Sequence, residues 1–220
     1  MLNSKALLAV LCTGVVAACA SGAKTDAVPG IANVKSVSST FGPQFHVTEV
    51  GPAGIDPRLL TPQKLPDGVT FNPADCAKYG TGQTFPSGVQ GNMAAVTAEG
   101  EGNRFIAIAV ETSEPITFDA GVAGNCKHVT FDGANVRGVV DVVDSPQIEG
   151  AQTIGTHRQV QTVVDGVPKA GELYNYVAYL PNRLVVVTAN SLVVPGQPLV
   201  PVNTQRARDL LTAAVGAVRG

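Results

Sequence analysis

Arg104-Phe-Ile-Ala-Ile-Ala-Val110 is the stretch on which the fold turns. In an extended chain successive side chains point to opposite faces, so Phe105, Ala107 and Ala109 share one side and Ile106, Ile108 and Val110 the other. Both sides are apolar, which predicts a strand lying centrally in its sheet with cover above and below. Immediately before it, Met93 to Ala98 reads as a second strand. The intervening Glu99-Gly-Glu-Gly-Asn103 has the glycines a hairpin turn needs.

Working outward, strand follows strand with a turn signal between each pair. Lys127–Phe131 and Val136–Val143 flank Asp132-Gly-Ala-Asn135. Thr153–Val164 and Leu173–Leu180 flank Asp165-Gly-Val-Pro-Lys-Ala-Gly171, which reads as a loop, and Arg183–Ala189 follows through Pro181-Asn182. Further upstream Gln44–Val50 alternates, with Phe45 and Val47 opposite His46 and Thr48. Between Gly51 and Asp75 prolines recur at 52, 57, 62, 66 and 73, a density that excludes a central strand or a long helix and predicts an ordered covering loop. Residues 191–202, with Pro195, Pro198 and Pro201, read as a surface linker.

Helices are expected at the two ends of this run. Asn203 is placed to cap a helix whose Ala207, Leu210, Leu211, Ala214, Val215 and Val218 form one stripe. Such a helix covers a sheet face, and Ala107 and Ala109 are small enough to let it approach. Ile31, Val34, Val37 and Phe41 form a stripe on a shorter helix that ends at Gly42-Pro43. The expected architecture is α+β: an antiparallel sheet of about seven or eight strands packed by N- and C-terminal helices, with one disulfide.

The N-terminus is of another kind. Lys5 precedes an apolar run to Val16, and Val16-Ala-Ala-Cys19 supplies small residues at a cut, the order of an export signal. A cysteine directly after two alanines resembles the lipobox of bacterial lipoproteins. That resemblance implies a signal peptide over residues 1–18 that is removed, a lipid on Cys19, a tether over 19–29 and a single domain over 30–220. A membrane-spanning helix needs about 20 apolar residues, more than this run has.

Export settles how the remaining cysteines are read. Cys12 is discarded and Cys19 carries lipid, which leaves Cys76 and Cys126 in an oxidising compartment where pairing is the natural outcome. Two buried free thiols or a metal pair are the competing readings, and no ligand spacing around Lys127 and His128 favours metal. Loss of residues 1–18 removes Lys5 from the 15 basic side chains, leaving 14 against 17 acidic ones, a formal net of −3. No basic face is implied, so nucleic acid is not an expected partner. A hydrophobic fraction of 45% against 15% charged predicts a packed body, and the absence of tryptophan leaves little material for a stacking platform.

Phe41-Gly-Pro-Gln-Phe-His-Val47, Leu65-Pro-Asp-Gly-Val-Thr-Phe-Asn-Pro-Ala-Asp-Cys76 and a second cysteine ahead of a run of strands resemble a mycobacterial cell-envelope lipoprotein family of unknown function. They are more loosely similar to the extracellular sensor-like domains of mycobacterial receptor kinases. The resemblance spans about residues 31–218. It implies an envelope lipoprotein with a disulfide and a helix-packed antiparallel sheet, a shape shared with PsbP- and Mog1-like domains. It brings no catalytic residue.

Catalytic patterns are thin. No G-x-S-x-G elbow or S-x-x-K pair occurs. His46, His128 and His157 each fall on a strand beside polar neighbours of the same face, as on a solvated sheet surface. Glu111, Glu114 and Asp119 read as a solvated loop rather than a glycosidase pair. Asp132-Gly133 and Asp165-Gly166 are turns without the remaining calcium ligands, and Gly80-Thr-Gly-Gln-Thr84 lacks the Lys-Ser or Lys-Thr of a phosphate cradle. The expected protein is therefore a non-enzymatic binding or sensor-like module, without catalytic residues, metal or cofactor. It is held by Cys19 at the outer face of a bacterial cell membrane, with an envelope protein or a lipid as ligand. The Pro-rich segments 51–75 and 191–202 are the expected contact surfaces, with passive covering of the core as an equal alternative. A lipid or glycolipid carrier with a cavity between sheet and helices is the alternative, and an envelope hydrolase the weaker one.

Overall fold

A computed structural model describes residues 30–56, 65–80, 89–119, 121 and 124–220. The leader, Cys19 and the tether lie outside the described residues, as does most of the glycine-rich segment after Gly80. A 3-10 helix, Ile31–Thr40, opens the domain. Nine strands follow: β1 (His46–Gly54), β2 (Thr70–Asn72), β3 (Gly91–Gly100), β4 (Asn103–Thr112), β5 (His128–Gly133), β6 (Val136–Val143), β7 (Gln152–Val164), β8 (Val167–Leu180) and β9 (Arg183–Ser191). A short helix α1 (Ala77–Gly80) comes after β2, and α2 (Thr204–Arg219) ends the chain.

All nine strands form one antiparallel sheet in the order β1-β3-β4-β9-β8-β7-β6-β5-β2. The chain makes the β3–β4 hairpin, crosses to the far side, and returns through five consecutive strands until β9 pairs with β4. Position 104–110 is thus internal, as its two apolar sides demand. Phe105, Ala107 and Ala109 join Leu211, Ala214 and Val215 of α2 and Val34 and Val37 of the 3-10 helix in the main core. Ile108 and Val110, on the reverse, pack with Ala95, Ile154, Val177, Leu184 and Val186, and Ile106, Ile55, Ile116 and Phe118 lie against them.

Each helix forms for a local reason. In α2 the six stripe residues are all buried, and the Asn203 side chain accepts from the Arg206 amide to satisfy an otherwise orphaned N–H. The N-terminal helix buries Ile31, Val34 and Val37, three residues apart each time. That spacing keeps one face of a 3-10 helix in line, which explains why the tighter helix forms.

The observed sheet has one strand more than the seven or eight expected, because β2 arises inside the Pro-rich stretch. It is only three residues long and pairs on one side, with β5, so the neighbouring prolines interrupt no central ladder. Residues 57–64 of this segment lie outside the described residues, and its part from Leu65 onward does cover the sheet: Leu65, Val69 and Phe71 pack on Phe131, Val136 and Val140. Beside them Cys76 and Cys126 form the expected bridge, buried with Val129.

The second difference lies between β7 and β8. Residues 165–171 are not a loop, because β8 begins at Val167 and only Asp165-Gly166 turn the chain, with φ of 52° and 76°. Positive φ at both positions is the two-residue turn whose twist suits a hairpin. Pro168 fits because Val164 and Val167 close the turn, which directs the nitrogen of the next residue away from β7.

Candidate functional site

The 3-10 helix and α2 lie over β1, β3, β4 and β9 and reach β8, which leaves the same face of β5, β6 and β7 open, while α1 packs beside Val129 on the reverse. Register defines what that open half carries. Under the roof, Val143, Gly155, Tyr176 and Val187 run side by side across β6 to β9. Two residues along each strand comes the row His128, Asp141, His157, Tyr174 and Ala189. Next are Thr130, Val139, Gln159 and Glu172, and then Asp132, Arg137, Gln161 and Ala170. Apolar core therefore gives way to an imidazole row and then to amides, hydroxyl and charge within three steps of the pleat.

The two outer rows floor a groove of about 830 Å³. Its other wall is Asn190, Ser191, Val193 and Leu199, from the end of β9 and the linker behind it. Val193 is 80% exposed and Leu199 61%, so this wall offers apolar side chains to whatever occupies the groove. Eight large apolar residues are exposed among the described residues, and four of them, Val193, Val194, Leu199 and Val200, belong to the linker that forms this wall, while Val163 continues the Gln161 row and Val164 and Val167 pair on the opposite face of the hairpin. Such clustering marks a contact surface, whereas single exposed apolar residues do not.

The linker is clamped at its ends. Leu192 donates its amide to the Gly102 carbonyl at 2.8 Å, and the Ser191 hydroxyl donates to the Val200 carbonyl at 2.6 Å. Asn103, 3% exposed, donates through Nδ2 to the Pro201 carbonyl and accepts from the Asn203 amide at 2.8 Å. Gly102, with φ 73°, lies so close to Val200 that a Cβ there would stand 2.5 Å from that side chain.

Electrostatics around the groove are mixed. Arg137 donates through Nε to Gln161 Oε1 at 2.8 Å. Glu172 Oε2 lies 3.2 Å from His157 Nε2, and the His157 ring stacks on Tyr174 with centroids 4.1 Å apart. His128 Nδ1 lies 2.6 Å from Asp141 Oδ1. Burial and the nearby Glu172 carboxylate raise the Tyr174 phenol above its ordinary range. Two carboxylates, Asp132 and Glu172, stand against the single guanidinium of Arg137, so the groove carries a surplus of negative charge.

The structure brings His128 and His157 to one row and sets His46 apart on β1, opposite Glu99. Glu111 lies against Arg183, Glu114 accepts from the Thr112 hydroxyl through its carbonyl, and Asp119 pairs with Lys78. The Glu111 and Asp119 carboxylates thus have separate partners, and Glu114 is held through its backbone. Ala170 and Glu172 were not singled out from the sequence, and Gln159 and Gln161 were read only as polar neighbours of His157. Their signal is the hairpin Val163-Val164-Asp165-Gly166-Val167, apolar on both sides of an Asp-Gly turn, which brings the two strands into one surface. Among the described residues no helix is long and apolar enough to cross a membrane.

Fold and groove together define an α+β domain built on one antiparallel sheet, roofed by helices over part of one face and open over the rest. Within that class, the chain belongs to the family described as a domain of unknown function, DUF5642, whose model matches residues 30–219. It is similar to an uncharacterized protein of Mycobacterium smegmatis, the Rv0999 ortholog, solved by X-ray diffraction. That match has 60% identity and a TM-score of 0.80 over 87% of this chain and 98% of the other. A second match is the extracellular domain of PknH from Mycobacterium tuberculosis, at 16% identity and a TM-score of 0.40 over 83% of this chain and 89% of that one. Among curated proteins none matches the chain.

Proposed function

We propose that this protein is a lipoprotein of the bacterial cell envelope that acts as a non-enzymatic binding module, with the groove on the open half of the sheet as its ligand site. The observation that carries the reading is the exposure of Val193 and Leu199 along a groove floored by polar residues. A ligand site combines apolar area with a few convergent polar groups in this way. The sequence adds the address: a leader ending in Ala17-Ala18-Cys19 supports lipid anchoring on the outer face of the membrane, and the Cys76–Cys126 bridge suits an oxidising compartment.

Two measurements test the proposal. Cys19→Ala is expected to abolish the acyl mass and to leave an unprocessed precursor or release protein from the membrane fraction. Unchanged retention with no acyl mass counts against the anchor. Replacing Val193 and Leu199 together by Asp is expected to empty the groove of whatever envelope-derived molecules native mass spectrometry finds on the wild type, with the melting temperature kept. Identical ligand profiles for the two proteins remove the groove as the site. The carrier alternative draws its ligand space from between sheet and helices, where Phe105, Ala107 and Ala109 pack with Leu211, Ala214 and Val215.

A further inference from the structure

The groove adjoins a piece of unfinished sheet. Strand β8 runs from Val167 to Leu180, yet β9 pairs with it only from Tyr174 onward. Among the described residues nothing pairs with Val167–Leu173 on that side. Backbone direction along this edge follows from the two turns. Leu180 and Arg183 close the β8–β9 turn, so even-numbered residues of β8 direct N–H and C=O toward β9. Val164 and Val167 close the β7–β8 turn, which places the odd-numbered residues toward β7 and agrees. The open edge therefore presents the carbonyl of Pro168 and both backbone groups of Ala170 and Glu172, and Gly171 between them has open space where a side chain would be.

We propose that this edge takes a short extended segment of another polypeptide, added as a strand alongside β8, with a lysine or arginine of that segment directed into the groove. The inference rests on the reading of the groove as a binding site and names its ligand class. Main-chain hydrogen bonds to a free edge supply affinity in such additions, and alternate side chains supply specificity. Here alternate residues of the added strand face the side on which Ala170 and Glu172 project, between Val193 and Leu199 on one flank and the polar rows on the other. The charge is complementary to a basic residue: Asp132 has no ion-pair partner among the described residues, Glu172 has only His157, and Arg137 is turned to Gln161.

A second copy of this chain fits poorly. Two β8 edges related by a twofold axis at Gly171 would pair Ala170 with Glu172 and place the copy's Pro168 against Tyr174, where Ala189 already sits. An axis at Ala170 would leave the Glu172 carbonyl facing a proline that has no N–H. Pro168 and Lys169 guard the tip against such self-pairing, and they leave Ala170–Glu172 accessible to a segment that ends or turns before β9.

Ala170→Pro is the decisive variant, since it deletes one outward N–H and none that β7 uses. A displayed library of short random peptides is to be selected against the wild-type domain. The expected result is enrichment of segments that alternate apolar and polar residues and contain Lys or Arg. Their binding should fall at least tenfold on Ala170→Pro and on Asp132→Lys, and on the wild type they should slow amide hydrogen exchange at Ala170 and Glu172. Should Ala170→Pro fail to fold, the exchange measurement and Asp132→Lys decide. Peptides that bind Ala170→Pro equally, or leave those two amides unprotected, overturn the proposal. So does the absence of any enrichment. In that event a neutral maltooligosaccharide and dodecanoate are titrated while groove resonances are followed: binding of either keeps the groove as a site for a different ligand, and silence from both removes the broader reading as well.

Discussion

Ala107 and Ala109 show how much two small side chains decide. Both are fully buried where β4 meets the helices. Ala109→Leu forces extra volume into that contact and is expected to cost about 1–3 kcal/mol, measured as a lowered urea midpoint with an unchanged slope. Tyr179 offers a second test. Burial, reinforced by the negative charges of Asp119 and Tyr79, pushes its phenol up to about 12, and Phe118 packs edge-on against its ring. The folded state then holds this proton more tightly than the unfolded chain, so its contribution is complete below about pH 10 and is lost as pH rises toward 12. Ultraviolet titration should show a late tyrosine ionisation that Tyr179→Phe removes. The alternation at 104–110 was legible from the sequence because period and polarity agree there. The Tyr179 environment was not, since Asp119 and Tyr79 reach it only through the fold.

Among the elements, α2 was legible to the residue and the β7–β8 hairpin was not. An apolar stripe at helical spacing behind Asn203 has one reading, and Asn203→Ala is expected to cost about 1 kcal/mol, seen as a lower melting temperature. The sequence reading places a turn at Asp165-Gly166 but begins the next strand only at Leu173, and whether Pro168 interrupts a ladder depends on which way its nitrogen points. That direction is set by register, a tertiary property. The connection between β4 and β5 is tied to α1 by Asp119. Hydrogen bonds from Lys78, then Tyr79 and the Gly121 amide, hold its carboxyl down at about 2 against an ordinary 3.8. A depressed carboxyl stabilises above its unfolded value and loses that contribution as pH falls from about 4 to about 2. Asp119→Asn should therefore flatten this part of the acid limb of melting temperature against pH. The effect is modest, since both partners of the Lys78–Asp119 pair are about half exposed.

For the whole molecule, the Cys76–Cys126 bridge fastens the segment that covers β5 and β6 to the start of β5. It closes a separation of 50 residues. Loss of either cysteine is expected to cost about 2–5 kcal/mol, visible as a melting difference that vanishes when both proteins are measured in strong reductant. The groove was the least legible feature at this scale. Its floor comes from four strands and its wall from a Pro-rich linker, and no single stretch of sequence carries more than a fragment of it. That linker is fastened at Gly102, Asn103 and Val200, and none of the fasteners lies between Val193 and Leu199. The arc between them is thus an exchangeable cassette. Lengthening it, or swapping its residues, can retune the width and grip of the cleft while the nine-stranded platform beneath stays as it is.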